Sequence, residues 1–307
     1  MKNLKYILPV FLLFVTKQLA AQDFPYHYFT HINPMLNNPA MAAVDYKMNA
    51  GVAAYSLTAG GFKPVNDYIL SYSVSPDFKK RHRRNAYQTR IGLGGSFLHE
   101  QIGPFNQSIL QLIYAYHIPL TKNTILSFGI NGMVEHLEIS VNSLNPLHDN
   151  DPRLLTGTNG SVILDGGFGA SVKGNNYRIS FSAMNLTPGV FSFKNGPAMD
   201  FENYRKYFIS GSYSADLTEG FLVLPAITIR NSFNQNFCFD ARMKFDLHFI
   251  KMGVGYRSEK SLFVFAQVPF NHFIFSYTSE NPLLSNHMMG NGHTFSVSWN
   301  YNFTNDY

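Results

Sequence analysis

Eleven histidines, one cysteine and 19 acidic residues are the side chains available for acid–base or metal chemistry. Their spacing brings few of them together. No His-Glu-x-x-His pair and no Cys/His spacing of a zinc site occurs. Glu135-His136 with Glu138 is the nearest cluster, but successive side chains of an extended strand point to opposite faces, so Glu135 and His136 diverge. Asp149-Asn150-Asp151 offers oxygens to calcium, yet the further oxygens and closing Glu of an EF-hand-like loop are missing, and it reads as a polar loop. Gly92-Leu93-Gly94-Gly95 opens no helix that could meet a phosphate, so these glycines read as strand curvature or close backbone approach. There is no Gly-x-Ser-x-Gly elbow. The expectation is a non-enzyme with no catalytic residue, no cofactor and no metal. A triad built from distant strands would have to appear as Ser, His and a carboxylate meeting at a rim.

Charge is clustered in two places. Lys79-Lys80-Arg81-His82-Arg83-Arg84 follows Pro76-Asp77 and lies between two strand patterns, so it reads as a solvated turn rather than a nucleic-acid patch, despite a net charge of +5. From Asn236 to Asp246 the pattern is sharper. Phe237, Phe239, Ala241, Met243 and Phe245 share one parity, and Cys238, Asp240, Arg242, Lys244 and Asp246 share the other. Turned towards lipid, Arg242 and Lys244 would each cost roughly 2 to 4 kcal/mol near the midplane. The four charges Asp240, Arg242, Lys244 and Asp246 are therefore expected on a watery inner face, where neighbours along the strand could compensate one another.

The elements that must position these residues are strands. From about residue 47, stretches of about ten residues alternate apolar and polar positions between Gly, Asn, Asp or Pro. Phe295, Val297, Trp299, Tyr301 and Phe303 against Thr294, Ser296, Ser298, Asn300 and Asn302 is the cleanest example. Fourteen such stretches are expected, near 47–59, 66–76, 87–99, 106–119, 123–137, 161–173, 176–184, 204–216, 221–232, 236–246, 249–258, 260–268, 271–280 and 292–304. An even count returns both ends to one side of a membrane, and long connections such as 138–159 and 186–202 then alternate with short turns such as Leu120-Thr121-Lys122, Gly174-Asn175 and Pro269-Phe270. The basic run is an exception, a longish turn on the short-turn side.

Composition agrees. Only 14% of residues are charged, against about a quarter in soluble proteins. The mean hydropathy of -0.10 is too polar for a helical membrane bundle, and no stretch of about eighteen apolar residues occurs. A chain with 28 Phe and 18 Tyr that suits neither solvent suits a barrel showing one face to each. Lys2 and Lys5, an apolar run from Tyr6 to Val15 and Leu19-Ala20-Ala21 form a secretory signal, with cleavage expected before Gln22. The lone Cys238 leaves no lipid anchor and no internal disulfide. The expected organisation is a signal peptide over 1–21, an N-terminal periplasmic or lumenal segment over 22–46, and one all-β, closed antiparallel transmembrane barrel over 47–307.

Between the signal and the first strand lies Phe29-Thr30-His31-Ile32-Asn33-Pro34-Met35-Leu36-Asn37-Asn38-Pro39-Ala40. Proline biases the Asn before it away from helix, so this segment should be compact, turned and non-helical, in or under the lumen. It resembles the N-terminal signature of the PorP/SprF-like membrane proteins of Bacteroidetes type IX secretion and gliding systems, with Met41 and Ala43 where the family would carry Tyr and Gly. Ile102-Gly103-Pro104, Tyr114 to Leu120, Gly253 to Ser258 and the final strand extend the resemblance over most of the chain. It makes Asn33, Pro34, Asn38, Pro39 and Ala40 the motif residues, structural or partner-binding.

The resemblance implies an outer-membrane component of type IX secretion that docks or aids export of one surface protein such as a gliding adhesin, links the translocon to periplasmic ring components, or both; its partners would be secretion components, that surface protein and outer-membrane lipid, with no nucleic acid. A barrel of about fourteen strands is narrower than an open porin, and its lumen is expected to hold Asp240, Arg242, Lys244, Asp246, Lys251 and Arg257. A folded cargo could not pass, so a docking platform is expected rather than a conduit. The competing expectation is a transport barrel for small hydrophobic compounds; a soluble β-sandwich is the plain alternative.

Overall fold

A computed structural model describes residue 29 and residues 31–58, 65–76, 89–140, 158–187, 189–191, 201–218, 220–232, 237–283 and 290–302. The expected signal peptide, the acidic loop 149–151 and the basic run 79–84 lie outside these residues. The strands are β1 (Met48–Leu57), β2 (Val65–Val74), β3 (Arg90–Ile102), β4 (Phe105–Pro119), β5 (Ile125–Ser140), β6 (Thr158–Lys173), β7 (Tyr177–Met184), β8 (Gly189–Phe191), β9 (Phe201–Asn203), β10 (Lys206–Tyr213), β11 (Ala215–Thr218), β12 (Phe221–Ser232), β13 (Cys238–Asp246), β14 (Lys251–Arg257), β15 (Ser261–Phe270), β16 (Phe273–Pro282) and β17 (Gly292–Tyr301).

β1 to β7, β10 and β12 to β17 pair antiparallel with their neighbours, and the β1–β17 and β10–β12 pairings close a cylinder of fourteen strands. β11 continues the line of β10 along β12. Closure removes the sheet edge that a bilayer could not solvate. The expected strands are all present, most within three residues at either end. β8 and β9 are an addition, a hairpin within the expected loop 186–202. The other long loop is shorter than expected, because β5 runs on to Ser140 and β6 begins at Thr158.

One end of the cylinder carries the start of β1 and the end of β17; the other carries the β5–β6 and β7–β10 connections. At that second end two connections are short: Gly103 (φ 58°) and Pro104 turn β3 into β4, and residues 258–260, with Lys260 at φ 68°, turn β14 into β15.

The alternation read from the sequence separates two media. Outward residues include Leu112, Ile130 and Phe295, each more than 60% exposed, as a lipid-facing band requires. Inward positions are polar and buried: Gln111, His117, Ser127, Glu135, Ser182 and Arg257. The core is therefore inside the barrel, and it is built on residues 29–44. Met35, Met41, Ala42 and Val44 pack on Ile113 and Ala115, while Phe29 and Leu36 pack on Ala53, Tyr55, Ile69, Leu98 and Ile109.

Candidate functional site

The two Asn-Pro pairs build the lumenal plug. Proline fixes φ near the helical value and lacks the N–H that a first turn leaves unpaired, and an Asn before it can cap that turn. Pro34–Leu36 and Pro39–Met41 accordingly form single 3-10 turns, with Asn33 and Asn38 as extended N-caps. Asn33 Oδ1 accepts from Met35 N at 3.2 Å, and Asn38 Oδ1 accepts from Ala40 N at 2.9 Å. The amide nitrogens of the same side chains reach the wall. Asn33 Nδ2 donates to Ser71 Oγ at 2.8 Å, and Asn38 Nδ2 donates to Ala170 O at 3.3 Å and Phe181 O at 3.1 Å. One residue thus shapes the plug and fastens it. Ala40 is fully buried beneath these contacts.

Further ties come from the wall. His117 Nε2 donates to Ala42 O at 2.9 Å while its Nδ1 accepts from Ser127 Oγ at 2.8 Å, and Ser182 Oγ donates to Asn37 O at 2.5 Å. His31 Nε2 pairs with Thr278 Oγ1 at 2.9 Å on the opposite wall. Where the plug leaves the lumen, Asp45 pairs with Lys173 at 2.8 Å and with Arg178. Burial alone would raise the Asp45 pKa, but these two cations hold its carboxyl below the usual carboxylate range.

Glycines make the seat. A Cβ at Gly129 would lie 2.6 Å from Pro39 O, and one at Gly169 would overlap Asn38 Oδ1. At Gly92 it would overlap Ala42 O and sit 2.9 Å from His117 Nε2. The Gly92-Leu93-Gly94-Gly95 run is thus a close backbone approach, not a phosphate cradle. The wall could not accept the plug at these points with any side chain present.

The inward charges divide between the two ends of the barrel. Asp240 lies near the end that carries the β5–β6 connection, where it pairs with Arg230 at 3.2 Å and lies 3.8 Å from Arg257 Nε. Arg257, only 2% exposed, also pairs with Glu280 and lies 4.7 Å from the Phe263 ring centre. Asp246 lies near the end that carries the start of β1 and pairs with Lys251 at 2.9 Å. Arg242 and Lys244 lie between them and make no direct ion pair among the described residues. All four share the face opposite the exposed Phe239 and Met243. Their compensation runs across strands, as in Asp240↔Arg257 and Asp246↔Lys251, and not along the strand. Cross-strand partners stand about 5 Å apart, whereas residues two apart on one strand are about 7 Å apart.

A third group lines the lumen at the end that carries the β5–β6 and β7–β10 connections. Glu135 accepts from Gln107 at 3.4 Å, Asn185 at 3.4 Å and Asn203 at 3.0 Å, and Asn185 donates to Asn203 at 2.5 Å. As alternation requires, His136 is not part of it. Among the described residues no group of three His, Cys, Asp or Glu is placed to hold a metal. Sequence reading missed His117, Asp45, Gly129 and Gly169, and it met Glu135 only in a cluster that does not converge. The available signal was glycine recurring at inward positions of β3, β5 and β6, where polar side chains are otherwise the rule.

Three comparisons bear on this geometry. A sequence model of the family described as type IX secretion system membrane protein PorP/SprF matches residues 18–301. Among solved structures, the fold is similar to the CymD monoaromatic hydrocarbon channel, at 10% identity, 94% of this chain and 96% of that one, TM-score 0.54. It is also similar to the Ralstonia pickettii toluene transporter TbuX, at 9% identity, 88% and 93% coverage, TM-score 0.50, and to the Pseudomonas putida toluene transporter TodX, at 11% identity, 90% and 93% coverage, TM-score 0.50. Identities this low speak for the barrel alone. No curated protein matches the chain.

Proposed function

We propose, starting from a chain that belongs to the PorP/SprF family of type IX secretion system membrane proteins, that this outer-membrane barrel is a docking platform for one exported surface protein and not a conduit. The observation that carries this reading is the tied lumenal segment. Residues 31–45 cross the barrel interior and are tied to β2, β4, β6, β7 and β16 by named side chains. A plug held at so many points leaves the outer face, the rim and the loops as the surfaces a partner can use.

The end that carries the start of β1 and the end of β17, whose turns are mostly short, then faces the periplasm, where the exported chain enters the membrane. Lys173, Arg178 and Lys251 outnumber Asp45 and Asp246 at that mouth, with Arg242 and Lys244 further in, a positive excess that suits an acidic periplasmic component of the secretion machinery. The opposite end, with its long loops, is the surface for the exported protein. Deleting 141–157, or 192–200, should lower recovery of that protein in a pull-down from detergent-solubilised outer membranes. Undiminished recovery with both deletions would refute the platform.

A further inference from the structure

β6 is twice the length of its neighbour β7. Residues 168–173 pair with β7, but Thr158 to Gly167 pair with β5 alone. The cause is local. At Asn185, with φ at 56°, the chain leaving β7 turns inward. Leu186 N makes one last bond to Gly166 O at 3.0 Å, and Asp165 Oδ1 accepts from Thr187 N at 3.1 Å. β8 then lies against the inner side of β6, where a Cβ on Gly189 would come 2.6 Å from Ile163 Cγ2, and Phe191 packs on Leu137 and Ile163. β10 begins only at Lys206, opposite Met184. Beside the upper half of β6, no described residue occupies the strand slot of the wall, which is backed on the inside by β8.

N–H and C=O of one residue point to the same side of an antiparallel strand, so Gly166 O fixes the direction. Gly160, Val162 and Leu164 turn their backbone groups to the empty slot, and no hydrogen bond reaches these groups there among the described residues. The side chains of Val162 and Leu164 point outward, 60% and 70% exposed. This stretch stands beyond the hydrocarbon band, because the outward residues opposite Val162 and Gly160 on β5 are His136 and Glu138. Exposed edges are normally blunted by Lys, Pro or a bulge. Thr158-Asn159-Gly160-Ser161-Val162-Ile163-Leu164 has no charge and no proline, and its pairing with β5 is unbroken.

We propose that the free edge of β6, from Gly160 to Leu164, is a strand-addition site that takes an extended segment of the exported protein as an extra strand of the wall. The proposal rests on the docking reading above and supplies its contact. A row of backbone donors and acceptors with a repeat of about 7 Å is matched by another strand. The outward Val162 and Leu164 ask for apolar residues at alternate positions of that segment.

The test uses Val162→Pro in the full chain in its native membrane. This change removes an N–H with no partner inside the barrel, so it blocks strand addition while leaving the β5–β6 ladder intact. The probe is the surface protein that disappears from the cell exterior when the gene for this chain is deleted. We expect the variant to remain a folded, heat-modifiable barrel and its co-purification with that protein to fall by about tenfold or more. A photo-reactive phenylalanine derivative at Leu164 should form an adduct with one extended segment of the same protein, which keeps the test open if the proline variant does not fold. Undiminished co-purification with Val162→Pro, or an adduct only with residues 141–157 of the same chain, would overturn the edge proposal alone. If no surface protein depends on the chain, or none co-purifies with the unsubstituted barrel, the docking reading falls with it.

Discussion

Asn33 and Asn38 each perform two tasks that are usually divided between residues: the oxygen caps a turn and the nitrogen holds the wall. Replacing Asn38 by Ala removes the cap and the wall bonds together, a loss of about 1–2 kcal/mol. Hydrogen exchange at the Ala40 amide should quicken by about tenfold, and an unchanged rate would mean that the cap contributes nothing. Asp45 gives a prediction with a sign. Its pKa is lowered from 3.8 in the folded protein by Arg178 and Lys173. The stabilisation is therefore fully present above the unfolded value and is lost as pH falls through the lower folded value. In urea titrations between about pH 4 and pH 2, the parent midpoint should fall more than that of Asp45→Asn; parallel curves would contradict the pairing. Asn33, Pro34, Asn38, Pro39 and Ala40 stood out as a motif through the family resemblance, and the prolines made a turned, non-helical segment legible. Their anchors on Ser71, Ala170 and Phe181 were not, because contacts between residues far apart in the chain leave no local pattern.

At the scale of the element, period-two alternation was enough to find the strands, since each shows one face to lipid and the other to the lumen. It could not show where a strand loses its neighbour. The inward turn at Asn185 depends on Asp165, Glu135 and Asn203, which are brought together by the closed wall and not by sequence spacing. The pairing of charges was similarly misjudged along β13, because register, which sets partners such as Asp246↔Lys251, is not written in one strand. The glycine seat is the element-scale feature most open to test. Gly129→Leu places a branched side chain where Pro39 O now lies. The strand itself should tolerate the change, as Leu fits a pleated sheet better than Gly. We expect a folded, heat-modifiable barrel whose residues 31–44 become sensitive to added protease, while the parent stays resistant. Equal resistance would show that the wall and plug do not fit as described.

For the whole molecule, the decisive feature is a cylinder of fourteen strands with its own N-terminal segment as core. The hydrocarbon channel CymD is similar in fold, but a similar cylinder does not imply similar traffic, because what passes is decided by what fills the lumen. Here the inner face is bonded to a plug, which is tied at one end to β6 and β7 by the Asp45 ion pairs, and the Glu135 network ties the inward chain after β7 to β4 and β5 at the other. These features are what the proposed docking role rests on. Steady ion conductance in planar lipid bilayers tests this most directly. The account predicts no steady current through the intact protein and an open current once residues 31–44 are deleted. An intact barrel that conducts as freely as the deletion variant would contradict it.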